Sequence, residues 1–198
     1  MFTQLSTIKT RLALLDTDPT YDALLTSAIR ALSARFDRDC NRTFARAVDT
    51  TFEFDAADTQ IVPTSYPIES VKGFALKTDE AQGWVPQSQP AFLIRKSCII
   101  SLAVPLSQQT TLSQIPIAQI TYTGGYVLPG TAPLPGQTPL PADIEDAVVE
   151  QIAFWFQRRD KLGIHTYWPR DAAYQQWTVQ DLLPSVEATL TRYRRYTL

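Results

Sequence analysis

The 198-residue sequence predicts an α+β fold, with helices at both ends and antiparallel strands between them. Three observations carry this. Tyr21, Leu25, Ala28, Leu32 and Phe36 recur at spacings of three and four, which lines them along one helical face. Thr50-Thr51-Phe52-Glu53-Phe54 switches to alternation, as a half-buried strand requires. The helical spacing returns in Ile144, Ala147, Val148, Ile152 and Trp155.

The first zone, residues 1–47, holds two helices. Leu5, Ile8, Leu12 and Leu15 form the stripe of a short one. Asp18-Pro19 marks the start of the second, an acceptor side chain followed by a residue whose fixed φ suits a first turn. Residues 48–127 form the strand-rich zone, with further strands expected at 60–62, 70–76, 92–95 and 117–122. Prolines at 63, 67, 86, 90, 105 and 116 fall between these runs or at their ends, where a missing N–H is tolerated. Short strands separated by turn signals predict a small antiparallel sheet or barrel. Gly124-Gly125 closes the last of them, where the backbone needs φ values that other residues resist.

Residues 128–141 contain five prolines and two glycines and read as an extended, surface-lying linker. Pro141 then opens a helix as its first residue. Asp143, Glu145 and Asp146 occupy its opening turns, Arg158, Arg159 and Lys161 its last, and Gly163 follows, so charges match the helix dipole at both ends. A connector rich in Tyr and Trp (Tyr167, Trp168, Tyr174, Trp177) leads to a final helix from Pro184, within the zone 142–198. The whole chain, 1–198, is expected to be one domain.

Composition excludes several classes. A net charge of −2 argues against a generally basic nucleic-acid binder. No apolar run reaches the roughly 18–20 residues of a membrane span, and Lys9 and Arg11 interrupt the apolar pattern of the first fifteen positions, so no signal-peptide core is expected there. Cys40 and Cys98 are too few for a disulfide scaffold, which makes a reducing compartment the expectation.

Catalytic chemistry finds little support. His165 is the only histidine, and neither cysteine belongs to a C-x-x-C pair, so a Cys/His zinc cluster cannot be assembled. Cys40 or Cys98 with His165 as a nucleophile–base pair has no local signature, and free cysteine usually packs as a small hydrophobe. The seven glycines form no phosphate-binding motif. No cofactor or metal is expected, and the chain does not read as an enzyme.

Three features suit interaction better, each with a plainer explanation beside it. No charged residue occurs from Ser97 to Ala142, which fits a desolvated interface or simply a polar loop-and-strand region. Arg35, Arg38, Arg42 and Arg46 would share one face if the second helix ran that far, making a basic stripe for a partner or a DNA channel; with Asp37 and Asp39 nearby, a solvated helix end is the preferred account. The terminal Arg192-Tyr193-Arg194-Arg195-Tyr196 combines two residue types enriched at binding hot spots, and is either a docking tail or an ordinary basic helix end.

The order of segments is more telling. Asp18-Pro19-Thr20-Tyr21 opens a long helix; a strand-rich insertion ends in Thr121-Tyr122-Thr123-Gly124-Gly125-Tyr126; a Pro-rich stretch precedes Leu140-Pro141-Ala142-Asp143; and Leu183-Pro184 leads to Tyr193-Arg194-Arg195. Across its length the chain resembles the head–tail connector (adaptor, or head-completion) family of tailed bacteriophages and gene transfer agents. The resemblance implies a helical bundle of about four helices with an antiparallel β-rich insertion between the second and third main helices. It also implies a homo-oligomeric ring, dodecameric in the particle, seated on the portal protein and offering a platform to the stopper or tail-completion protein. Double-stranded DNA passes through such a ring without sequence-specific binding, and no membrane is involved. The place implied is the virion neck, after synthesis in the bacterial cytoplasm. Arg192 to Tyr196 would then reach toward the portal. Two alternatives stay open: a stopper or tail-completion protein one ring further down, and a small β-barrel binding carbohydrate or peptide, with Trp84 as stacking residue.

Overall fold

The computed structural model describes residues 1–109, 116–159, 166–167, 175–176 and 181–195. The fold is α+β, with a β-rich insertion between the second and third of the four α-helices found among the described residues. The chain divides into two compact units, Met1–Phe36 with Pro141–Tyr193 and Asp37–Leu140 with Arg194–Leu198.

The first unit is helical: α1 (Leu5–Arg11), most of α2 (Asp22–Asp39), α3 (Ala142–Gln157) and α4 (Pro184–Tyr193). Leu25, Ile29, Leu32 and Phe36 form the buried face of α2, and Ile144, Val148 and Ile152 that of α3. Trp155 is only half-buried. The expected helix starts shift. Asp18 Oδ1 accepts from the backbone N–H and hydroxyl of Thr20, closing a turn ahead of α2 instead of capping it. Pro141 occupies the N-cap of α3, not its first turn. Leu15 lies beyond α1 and is 74% exposed, because the helix stops at Leu12 and Ala13 takes φ 54°. Lys9 is buried; its ammonium donates to the carbonyls of Asp16 and Asp18 and pairs with Asp22 at 2.6 Å, so a charge inside the apolar stripe is fully partnered.

Among the described residues the second unit holds two open antiparallel sheets and no closed barrel. One has the order β1-β7-β3-β4, from β1 (Ala47–Asp55), β3 (Ile68–Lys77), β4 (Val85–Gln87) and β7 (Ile117–Gly124). The other has the order β2-β6-β5, from β2 (Gln60–Ile61), β5 (Phe92–Arg95) and β6 (Ile99–Leu102). Both contribute to one core that includes Phe74, Leu76, Ile100, Leu102, Ile120 and Tyr122. Central β7 explains much of the missing charge between Ser97 and Ala142, since Ala118, Ile120 and Tyr122 are fully buried there. Strands β4 and β6 were not anticipated. Pro86 sits inside β4, an edge strand, where its missing N–H costs no ladder bond.

The Pro-rich segment does not run on as an extended spacer. Val127 N–H donates to Thr138 and Leu140 N–H to Val127, so the chain leaves the sheet, crosses an exposed loop and returns to the same residue. Thr166–Tyr167 (β8) pairs with Gln175–Gln176 (β9). Lys161, Gly163, Trp168, Tyr174 and Trp177 lie outside the described residues.

Candidate interaction surfaces

The four arginines do not form a stripe, because α2 ends at Asp39. Asn41 takes φ 50°, its N–H bonds to the Arg38 carbonyl, and Arg42 N–H reaches back to Asp37. This is a Schellman end with Asn at the left-handed position. Asp37 Oδ1 also accepts from Phe44 N–H at 2.9 Å. The turn sends Arg42 and Arg46 away from the helix face.

Each arginine then has its own surroundings. Arg35 makes a bidentate pair with Asp181, with Nη1 at 2.7 Å. Arg38 is 75% exposed, beside Asp39. Arg42 is buried, its guanidinium 3.4 Å from the Tyr66 ring centre and 4.4 Å from that of Phe44, while Nη2 donates to the Tyr66 carbonyl. Arg46 forks onto Glu69, both bonds 2.8 Å. Asn41, a residue tolerant of the left-handed region, is the sequence signal that would have ended the helix earlier.

The terminal run is partly anchored. In the helical unit, Tyr193 donates its hydroxyl proton to Asp143 at 2.7 Å. In the strand unit, Arg195 N–H donates to Cys40, Arg195 Nε to Val62, and its guanidinium lies 5.1 Å from the Phe52 ring. Arg192 and Arg194 are exposed. Tyr196 lies outside the described residues.

Reactive groups are few. Cys40 is buried, and desolvation pushes its thiol up to about 11, so it is protonated near neutrality. Cys98 is half-buried, and His165 lies outside the described residues. Among the described residues no group of three or more His, Cys, Asp or Glu is placed to hold a metal ion. Among them no helix is long and apolar enough to cross a membrane. Trp84 is half-buried, with the Lys77 ammonium 5.9 Å from its ring.

The strand unit also carries two patches that sequence reasoning did not single out. One is the outer strand β5, where Leu93 is 66% exposed beside Arg95 and Lys96. The other is a recess of about 310 Å³ lined by Glu53, Phe54, Asp55, Pro116 and Ile117. The first was hidden because its hairpin partner β6 was missed; the short apolar run Ile99-Ile100-Ser101-Leu102 was the signal.

No protein-family model and no curated protein matches the sequence. Solved structures do match in fold. A chain from the neck of an empty gene transfer agent (GTA) particle computed with C6 symmetry aligns over 100% of this chain and 91% of that one, with TM-score 0.57 and 18% identity. A chain from the virion of a native GTA particle aligns over 100% and 91%, with TM-score 0.54 and 17% identity. A third, from the neck of a native GTA particle computed with C12 symmetry, aligns over 98% and 89%, with TM-score 0.53 and 18% identity. The fold of this chain is thus shared, nearly end to end, with chains of such particles.

Proposed function

We propose that the chain is a structural, non-catalytic virion neck protein: a head–tail connector that forms a ring on the portal, extends the DNA channel and receives the stopper or tail. The observation that carries this reading is the fold likeness over the full chain to neck chains of GTA particles, with both helical and strand units included. Those particle necks were computed with C6 and C12 symmetry, which favours a cyclic arrangement here, dodecameric in the particle. A net charge of −2 suits a channel through which DNA slides, since many phosphate contacts would hold it in a salt-sensitive grip.

The portal contact is assigned to the carboxy-terminal run, with Arg192 and Arg194 as its outward cations. Arg35, Arg42 and Arg46 already serve contacts within the chain, which leaves Arg38 as the secondary candidate.

The test is imaging of the purified chain mixed with its portal, and separately with the tail proteins of the same particle. A ring seated on the portal is the expected result. Binding to tail components alone reassigns the chain to a stopper or tail-completion position. Absence from mature particles removes the neck reading. Arg192→Glu with Arg194→Glu should abolish portal co-sedimentation; it is preferable to truncation because the Tyr193 and Arg195 contacts are retained.

A further inference from the structure

We propose that a second copy of this chain docks head to tail through the two patches of the strand unit. The β5–β6 hairpin of one copy, carrying Leu93, Ile94, Arg95 and Lys96, meets the recess of Glu53, Asp55 and Ile117 on the next. The inference rests on the ring reading above and names the contact that would build the ring.

The hairpin presents what an isolated edge strand normally hides. Strand β5 is outermost in its sheet, and neighbouring Leu93 and Ile94 are 66% and 38% exposed. Adjacent strand residues point to opposite faces: Phe92 packs against the core, while Leu93 faces away and Ile94 is partly open near the tip. Its pairing with β6 runs without a bulge from Phe92 to Arg95, and it contains no proline. Edge strands are commonly guarded by bulges, prolines or charge, and here only the tip is charged. That tip is held in one conformation. Lys96 and Ser97 take φ 50° and 55°, Cys98 N–H bonds to Arg95, and the Ser97 carbonyl accepts from Ile68 N–H at 2.7 Å. Two successive positive φ values define a turn that favours Asn and Gly, and non-glycine residues kept there mark an over-determined site. Arg95 and Lys96 are exposed, and neither forms an ion pair among the described residues.

The recess is its chemical complement. Glu53 and Asp55 project from one face of β1, both exposed and neither ion-paired among the described residues. Ile117 pairs with Asp55 across the ladder and is 50% exposed, and Phe54 and Pro116 complete the lining. Two carboxylates and an apolar floor face an arginine, a lysine and two aliphatic side chains. Apolar burial supplies affinity in such a contact, and the charges select register and partner.

Position decides the mode of pairing. Ile68 stands opposite Gly124 at one end of the large sheet, and the hairpin turn is tied to Ile68. Asp55 and Ile117 stand at the other end, level with Lys77. Strand β3 between them spans ten residues, roughly 30 Å at the usual rise. Only the charged tip stands at the Ile68 end; Leu93 follows Phe92, whose ring centre lies 6.0 Å from that of Phe74, nearer the middle of the sheet. Two different patches on one subunit give a heterologous interface, which closes into a ring when the rotation per subunit allows.

The test uses the full chain in assembled particles. Leu93→Cys with Ile117→Cys, in a Cys98→Ser background, should give a ladder of disulfide-linked multimers on mild oxidation, while either single cysteine gives none. Glu53→Lys with Asp55→Lys, or Arg95→Glu with Lys96→Glu, should each lower incorporation by about tenfold, and the fourfold swap should recover it. A ring visible by imaging with no ladder and no recovery overturns the contact and leaves the neck reading standing. Cross-links to the portal or a tail protein instead of a second copy also overturn it. A wild-type chain missing from particles overturns both.

Discussion

The Arg42 guanidinium lies flat against Tyr66, 3.4 Å from its ring centre, while its Nη2 bonds to the carbonyl of that same residue. Phe44 and Tyr126 add two more rings, at 4.4 and 5.4 Å. A planar cation stacked and hydrogen-bonded at once is something lysine cannot reproduce. The residue thereby fastens the segment leaving α2 to the stretch just before β3, although its Nε is buried with no partner among the described residues.

Arg42→Ala should therefore destabilise the protein by about 2–4 kcal/mol, from the lost cation–π contacts and the lost charged hydrogen bond. Arg42→Lys should recover less than the full loss. Urea denaturation followed by tryptophan fluorescence measures both, and an alanine variant as stable as wild type would show that the stack contributes nothing.

Gly125→Ala should be among the costliest small changes in the strand unit. Gly125 has φ 103°, and a Cβ there would lie 2.6 Å from the Ala45 carbonyl oxygen and 2.8 Å from Arg46 Cα. Both contacts are backbone, so the loss should reach about 3 kcal/mol. Gly136→Ala is the control, with φ 87° and no atom within 4 Å of the new Cβ, and should cost only about 1 kcal/mol in backbone strain. Equal thermal shifts for the two variants would contradict the packing argument.

Asp37 sets a pH dependence whose sign follows from its burial. Desolvation raises its pKa above the ordinary 3.8, outweighing the Phe44 N–H bond and the charge of Arg42. The folded state thus binds the proton more tightly than the unfolded chain, and stability falls as pH climbs from the ordinary value through the raised one. Asp37→Asn keeps an acceptor for Phe44 and removes the half-buried charge. Its stability should be flatter across that window and higher than wild type above it, read from denaturant melts at several pH values. A variant less stable than wild type near neutrality would mean that the attraction to Arg42 dominates.

The two thiols should separate kinetically. Half-buried Cys98 should react with a disulfide reagent near pH 8 in the folded protein, whereas Cys40, buried and with its pKa pushed to about 11, should react only as the chain opens. Two fast thiols in the folded state would count against the burial of Cys40.

The types of the main elements were legible along the chain because periodicity is a local property. The spacing of Leu25, Leu32 and Phe36 and the alternation around Phe52 and Phe54 depend only on which face is dry. Gly124-Gly125 was read as a conformational requirement, and that holds for Gly125. Gly124 is there for a different reason, since a Cβ on it would lie 2.6 Å from the Ser65 carbonyl oxygen. No local pattern carries that information. Short β4 and β6 escape such a reading because three or four residues hold too little period, and their identity comes from the strands beside them.

The sequence by itself determined the main helices and the longer strands, the α+β class, and the scarcity of reactive groups. Tertiary structure alone decided that Arg42, past the end of α2, is enclosed by Tyr66, Phe44 and Tyr126 instead of standing in a basic row. It alone brought the β5–β6 turn to Ile68 at one end of a sheet and Glu53, Asp55 and Ile117 to the other. Secondary structure answers to neighbours a few residues away, whereas a surface is assembled from chain segments tens of residues apart, and only their packing sets which groups meet.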